Sequence, residues 1–486
     1  MIVKRSFSIA IVLFWCLMNI LLLRRELWAP PAPVLLHTVT AITEPMEEWW
    51  GIYYRGEKIG YAAQKITPET EGYLLRDSSL LRLNLLGTVK TVETRLQMTA
   101  AANWALREFD FDLRSEDVRF KARGKVAAGK LHLEVESGGQ RTDKELPMSQ
   151  PPYLLAALKP YIVTQNLELG KEQLFSTFDP ATLSQQITTV TVEGREQIKI
   201  GGKTEPALRI RQRFKGISVV SWVDGSGRTL KEETPTGLSL VRQKEEEAKI
   251  LATRATPLDL ISQTSVPLET PIAEPTKKNL LKVKLSGFNL AHFSLNGGRQ
   301  RLTEDTLEIR REDLNQLRSY RRPIRDASLA SYLQSTPFLQ SDHPQIRALA
   351  ARVLGGEADA LKAVEKIRKW VYDGLVKVPT VSIPNALEVL QTRRGDCNEH
   401  TVLFNAIARA AGIPARTVVG VVYLRGAFYY HAWSEVWLGQ WISVDSVLDQ
   451  FPADVTHIKF LEGDIDRQID ILELIGKLKI KVVEAS

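Results

Sequence analysis

Outside the apolar run at the start of the chain, where Cys16 sits, the sequence carries one thiol, Cys397. A thiolate is a nucleophile and a neutral thiol is not, so the surroundings of Cys397 decide what it can do. A single cysteine in a chain that also offers a histidine and a carboxylate is a candidate nucleophile. Without such partners it is an inert core residue. Residues 393–416 read RRGDCNEHTVLFNAIARAAGIPAR. Asp396 has the side chain to cap a helix that begins at Cys397. Leu403, Phe404, Ile407 and Ala411 fall on one apolar stripe, and Gly412 followed by Ile413-Pro414 stops the helix. Cys397 is therefore expected in the first turn of a buried helix. There the positive end of the helix dipole lowers a thiol pKa and favours the thiolate.

Candidate partners lie just downstream. Residues 418–447, VVGVVYLRGAFYYHAWSEVWLGQWISVDSV, contain three strand-like runs. In the second, His431, Trp433, Glu435 and Trp437 share a face; in the third, Trp441, Ser443 and Asp445 share a face. A hairpin joins the two runs near Leu438-Gly439-Gln440. Parity then gives a strict condition. A two-residue loop pairs Leu438 with Trp441 and puts His431 and Asp445 on opposite faces. A three-residue loop pairs Trp437 with Trp441 and Trp433 with Asp445, which leaves His431 diagonal to Asp445 on the same face, within reach. A Cys397, His431, Asp445 triad requires the odd loop.

The pattern GDC-x2-H-x2-LF-x-A-x2-RA-x-GIPAR, followed by HAW-x-EVW-x-G-x-W-x2-VD, resembles the bacterial branch of the transglutaminase-like superfamily. It covers about 340–486, and FPADVTHIK (451–459) is similar to the segment that follows the catalytic aspartate in such proteins. One departure concerns a turn: Ser446-Val447 stand where the family often has Pro-Thr. The resemblance implies a papain-like fold with a Cys-His-Asp triad, and by position Cys397 is the nucleophile. His431 takes the thiol proton and later donates one to the leaving amine, and Asp445 holds the imidazole tautomer and stabilises the imidazolium. A thioester acyl-enzyme follows. Water hydrolyses it or an amine captures it. Peptide or amide hydrolysis is the leading expectation and transamidation the second. The competing expectation is a non-catalytic envelope binding or scaffold protein that uses the same fold.

Other residues in the segment have plainer uses. Cys397, His400, His431 and Asp445 are all legitimate zinc ligands, yet Cys-x2-His on a helix is a weak metal signal, and His400 is expected as a packed or hydrogen-bonded core residue. Arg394-Gly395-Asp396 is expected as the tight turn and cap before Cys397. At least two of Trp433, Trp437 and Trp441 are expected in packing, and His457 is expected to be structural. No calcium-loop pattern stands out. No cofactor and no metal are expected, and the expected partner is a protein or peptide substrate.

The elements that must carry this site follow from the rest of the chain. Its 486 residues suggest two or three domains. The 44% hydrophobic and 25% charged residues are those of ordinary globular protein. The net charge of +7 is spread along the chain without a long basic block, which argues against a nucleic-acid partner. Residues 46–250 show alternating runs such as Phe109-Asp110-Phe111-Asp112-Leu113 and Leu131-His132-Leu133-Glu134-Val135, separated by Gly138-Gly139, Gly201-Gly202 and Asp224-Gly225. They read as many short strands in a largely antiparallel sheet or half-barrel. The stretches 49–61 and 221–242 resemble periplasmic half-barrel domains related to lipoprotein carriers, which implies a curved sheet with an apolar face for a lipid or a peptide, or else a packing and spacing domain. Prolines 257, 267, 271 and 275 mark a connector; 281–315 holds short strand patterns, and from 344 onward the period is helical, with Val364, Ile367, Trp370 and Val371 on one face.

Residues 6–23 are uncharged and flanked by Lys4, Arg5, Arg24 and Arg25. As a helix such a run spans about 27 Å, the hydrocarbon thickness of a bilayer. Leu13, Phe14 and Trp15 before Cys16 are not the small residues of a lipidation site. The basic residues and the free amine favour an N-terminus inside and a body outside. The expected molecule is thus an α+β protein of the inner membrane with a periplasmic body. Its parts are a transmembrane anchor (1–28), a linker (29–45), a β-rich half-barrel-like domain (46–250), a linker and connecting segment (251–340), and a transglutaminase-like domain (341–486).

Overall fold

Leu131, Leu133 and Val135 alternate with polar residues, and in the structure they are the buried face of a strand, Lys130–Ser137. The same logic repeats across the N-terminal region. The structure is a computed structural model and describes residues 41–116, 119–165, 167–251, 259–463 and 465–486. The anchor expected over 6–23 lies outside the described residues. Among the described residues, no helix is long and apolar enough to cross a membrane.

From Met46–Tyr54 to Leu238–Gln243 the chain forms a 14-stranded antiparallel half-barrel sheet. Consecutive strands pair throughout its two halves, and the first strand also pairs with the last, Trp49 opposite Gln243. That pairing leaves Gln140–Pro147 and Glu172–Asp179 as the two edges. Helix α1 (Leu155–Thr164) lies in the connection between those edges. Its Leu158, Ile162 and Val163 pack on Val190, Val192 and Ile210, and its Ala157 joins Phe178 and Leu131 in the neighbouring core. Trp104 is tied to it by an indole N–H to Thr164 Oγ1 hydrogen bond of 3.1 Å and stacks on Tyr73 at 3.9 Å. Of the two expectations for this apolar face, a ligand surface or a packing domain, the packing of α1 agrees with the second, since a sheet with inward apolar surface is stable when another element buries it. The strands are also longer than expected, reaching 17 residues in Ser184–Ile200.

The C-terminal region packs helices against a second sheet. Helices α2 (Pro344–Leu354), α3 (Ala360–Gly374), α4 (Ala386–Thr392) and α5 (Cys397–Ala410) share one core built from Ile346, Leu349, Val364, Ile367, Leu403 and Phe404, among others. The sheet is centred on two strands, Ala415–Leu424 and Ala427–Trp437. Ile458–Glu462 flanks the first, while Trp441–Val444 and Val266–Pro267 flank the second. The segment expected as a connector is structural. Its strand Leu280–Ser286 pairs with Thr306–Arg310 and with the last strand, Lys479–Ala485. Leu281, Val283, Leu307 and Ile309 bury against Val421, Ile458 and Phe460 of the central sheet. Its prolines punctuate the chain without separating it from the domain, because alternate apolar residues at 281–285 have a core to enter.

The two regions touch where the turn after Lys130–Ser137 meets α4. Asn385 Nδ2 donates to Ser137 Oγ at 2.5 Å and to Glu388 Oε2 at 2.8 Å. Gly138 sits so close that a Cβ there would lie 2.8 Å from the Glu388 Cβ. Burial pushes the Glu388 carboxyl up to about 7, Glu399 adds to the rise, and the hydrogen bonds from Ser137 and Asn385 oppose it. A carboxyl raised in the folded state contributes stability at low pH, and the contribution is lost as pH rises from the ordinary value of about 4.3 towards 7. The urea midpoint of the wild type is thus expected to fall between pH 5 and pH 8, and Glu388→Gln to reduce that fall and unfold later than wild type at pH 8. An equal fall in both proteins would contradict this account.

Candidate functional site

Asp396 N-caps α5 as expected, and the cap is a full capping box. Asp396 Oδ1 accepts from the Asn398 N–H at 3.0 Å, and Glu399 Oε2 accepts from the Asp396 N–H at 2.8 Å. Ser382 Oγ holds the other Glu399 oxygen, and the Thr380 N–H reaches Asp396 Oδ2 at 3.4 Å. Gly395 is required here, since a Cβ on it would lie 2.2 Å from the Glu399 Cβ. The Arg394-Gly395-Asp396 triplet is thus the turn and cap that the sequence implies.

Cys397 is the first residue of α5 and is half-buried. It meets the central sheet at Ala432, whose backbone N–H points to the thiol and pulls its pKa down. One turn later the Thr401 hydroxyl donates to the Ala432 carbonyl at 3.2 Å, so the helix is stitched to the strand on both sides of that peptide. The expectation of a lowered thiol pKa is corrected. Burial pushes the Cys397 thiol well above its ordinary value, and the charges of Asp396 and Glu399 add to the rise. The helix dipole favours the thiolate, but burial and the neighbouring carboxyls act against it.

The hairpin loop is Leu438-Gly439-Gln440, and Trp437 pairs with Trp441 and Ser434 with Val444. The odd loop puts His431 and Asp445 on one face, and His431 Nε2 donates to Asp445 Oδ2 at 2.7 Å. Both residues are buried. With Nε2 committed to Asp445, Nδ1 is the ring nitrogen left for a thiol proton. The structure brings His431 and Asp445 into direct contact and brings Cys397 to Ala432, the neighbour of His431. It does not hydrogen-bond the thiol to the imidazole. Asp445 Oδ1 accepts from the Val447 and Leu448 N–H groups at 2.7 and 2.9 Å. Both donors lie beyond Ser446, so the departure from Pro-Thr leaves them in place.

His457, expected to be structural, completes the carboxylate's shell. His457 Nε2 lies 2.9 Å from the same Asp445 Oδ2, and its Nδ1 lies 3.3 Å from Asp454 Oδ1. The ligand-type atoms that converge are those of His431, Asp445 and His457. Each ring is hydrogen-bonded to the carboxylate directly, so these nitrogens are committed to protons. The zinc set that includes Cys397 and His400 is not assembled. His400 is a core residue, its Nδ1 donating to the Asp396 carbonyl at 2.7 Å. Burial lowers its pKa, which keeps it neutral.

Sequence reasoning also missed the supports. The Arg299 guanidinium donates to the carbonyls of Asp454 and His457, both at 2.9 Å, and pairs with Glu312 at 3.1 Å. The Gln300 amide brackets both backbone groups of Lys459, at 2.6 and 3.0 Å. These residues come from the supposed connector, where no motif marks them. Glu435 was visible by alternation with His431. It holds Lys459 at 2.9 Å and Arg416 at 2.6 Å, and the Arg416 guanidinium covers the Trp441 ring at 4.0 Å. Trp433 is buried beneath His431, 6.1 Å between ring centres, so it packs and does not line a groove.

Residues 347–446 match the family described as Transglutaminase-like superfamily, so this part of the chain is a transglutaminase-like domain. An uncharacterised protein of Haemophilus influenzae is 28% identical over 160 residues, which cover 27% of this chain and 42% of that protein. The chain thus spans less than half the length of the curated relative it matches. Among solved structures, a candidate cysteine protease from Cytophaga hutchinsonii is 20% identical, with a TM-score of 0.29 over 46% of this chain and 81% of that one. A β-barrel-like protein of a domain of unknown function from Brucella abortus is 10% identical, with a TM-score of 0.34 over 41% of this chain and 96% of that one. Gly395→Ala tests the placement of the nucleophile. The added methyl must displace Glu399 or the helix start, with an expected loss of about 1–3 kcal/mol in urea unfolding and altered alkylation of Cys397 by iodoacetamide. Wild-type behaviour in both measurements would show that the glycine is not needed.

Proposed function

We propose that this transglutaminase-like domain is a thiol acyl-transfer enzyme acting on peptide or protein amide bonds. Cys397 is the nucleophile, His431 the general base and then acid, and Asp445 the residue that orients and charges the imidazole. The observation that supports this most is the buried 2.7 Å His431–Asp445 bond on the strand whose next residue, Ala432, touches the thiol. An imidazole fixed at Nε2 by an anion is a base at Nδ1.

The raised thiol pKa shapes the mechanism. A protonated Cys397 gives its proton to His431 Nδ1 as the sulfur attacks the carbonyl carbon. The Asp445 charge then stabilises the imidazolium, and the first-turn N–H field of α5 stabilises the developing oxyanion. The amine leaves with the proton from His431, and the acyl group stays on sulfur as a thioester. Water attack yields an acid; attack by a second amine yields a new amide. Hydrolysis is the leading outcome. The uncharged run 6–23 supports an inner-membrane anchor with a periplasmic body as part of the same proposal.

A second reading, a binding or scaffold protein, draws support from the raised thiol pKa and the missing thiol–imidazole bond. The two readings part in one experiment on the full chain. Iodoacetamide alkylation of Cys397 is followed from pH 6 to 9, and p-nitrophenyl acetate serves as a generic acyl donor. Acyl transfer predicts a stoichiometric nitrophenolate burst with the acetyl group mapped to Cys397, and no burst in Cys397→Ser. It also predicts that His431→Ala slows alkylation at pH 7 by about tenfold or more. Identical alkylation profiles with no burst would leave the binding protein as the answer.

A further inference from the structure

His457 is fully buried, and both of its ring nitrogens face carboxylate oxygens. A neutral imidazole carries one N–H and one lone pair, whereas a carboxylate offers only lone pairs. Whichever tautomer a neutral His457 adopted, one nitrogen lone pair would point at an anion. Both contacts are favourable only when both nitrogens carry protons. We infer that His457 is a permanently protonated positioning residue that bridges Asp445 and Asp454 and thereby limits the basicity of His431. The inference rests on the triad reading for its catalytic meaning, though not for its electrostatics.

The surroundings on every side agree. Asp454 is held as an anion by the Thr456 N–H at 2.8 Å, the Thr456 hydroxyl at 2.6 Å and the Gln450 amide at 2.9 Å. Asp445 is held by two backbone N–H groups besides the two rings. Hydrogen bonds and the histidine charges keep both carboxyls well below the usual carboxylate range against the opposing effect of burial. The Trp433 ring stands edge-on to His457 at 5.2 Å. The nearest guanidinium, Arg299, contacts the His457 carbonyl and is neutralised by Glu312. Lys459, two residues on, is neutralised by Glu435. No other cation competes for the two carboxylates among the contacts described.

The consequence falls on His431, whose ring centre lies 5.8 Å from that of His457. Asp445 alone would favour the imidazolium of His431 and raise its pKa. A fixed cation on the same carboxylate oxygen cancels part of that pull, and protonating His431 then places two imidazolium rings side by side. The pull of Asp445 on a proton at His431 is thereby weakened. His457 touches neither substrate nor sulfur, and it acts through Asp445.

The test is nitrogen-15 NMR on the full chain labelled at histidine. In the wild type, both His457 nitrogens are expected to show the imidazolium signature from pH 6 to 8. In His457→Gln, whose amide can still donate to Asp445 without a charge, the His431 midpoint is expected to rise by about one unit, and the pH profile of Cys397 alkylation to move with it. Asp454→Asn, which keeps the histidine, is the second variant: His457 should now titrate within the accessible range and His431 should rise as it does so. A purely structural His457 would leave the His431 midpoint unchanged or lower it. That result in either folded variant, or a neutral His457 in the wild type, overturns the inference. An unreactive Cys397 would sink the acyl-transfer reading and leave the His457 measurement standing by itself.

Discussion

The Asp445 carboxylate is the constraint on which the catalytic region turns. It is fully buried, and a buried charge is tolerable only when its lone pairs are met by donors. Four donors meet it: His431, His457, and the N–H groups of Val447 and Leu448. They come from three separate pieces of local structure. The three-residue hairpin loop sets the parity that brings in His431. The turn after Trp441–Val444 aims the two backbone donors. The segment leading into Ile458–Glu462 delivers His457, and Arg299 pins that segment by its carbonyls. A one-residue change in the loop would turn His431 to the opposite face and leave the anion short of a donor. The register of three strands and the charge of one side chain thus require each other.

At the other half of the site the fold resolves a conflict between two local rules. A helix N-terminus favours a thiolate, and a helix N-terminus also needs an acceptor cap. Here the cap is Asp396, reinforced by Glu399, and both carboxyls stand beside the sulfur. The cap secures the helix start that places Cys397 against Ala432, and burial together with the neighbouring carboxyls opposes ionisation of the thiol. In the proposed reaction the histidine across the strand does what the helix does not: it takes the proton at the moment of attack.

The candidate site was legible because its residues are local in sequence. The helix from Cys397, its stripe, its stop at Gly412 and the odd hairpin are all decided within about four turns or two strands of chain, where periodicity and parity act. His457 was not legible. A histidine followed by alternating apolar residues looks like any other strand-edge histidine until the fold brings Asp445 to one nitrogen and Asp454 to the other. Arg299 and Gln300 were further out of reach, since their partners lie more than 150 residues away and are backbone carbonyls, which leave no trace in side-chain pattern. The alternation at 281–285 reads as strand, while prolines 257, 267, 271 and 275 mark a linker or connector. Proline reports local conformation and says nothing of which core the next strand enters. The half-barrel was visible as alternation and turns, while the helix that fills it was not, because residues 155–164 carry an internal proline and little amphipathic contrast.

The contact between the two regions links their stability to the nucleophile's surroundings. Ser137 on the half-barrel and Glu388 on α4 are bridged by Asn385, and Glu388 in turn feels the charge of Glu399, the residue that completes the cap before Cys397. Three carboxyls, Glu388, Glu399 and Asp396, therefore lie in sequence between the docking surface and the thiol. Like charges so placed and partly desolvated cannot all ionise at low cost, and the hydrogen bonds donated by the half-barrel side and by Ser382 decide which does. Removing the half-barrel turn would expose Glu388 to water and let it ionise more readily. The half-barrel turn thus keeps Glu388 buried beside the residue that completes the cap of α5.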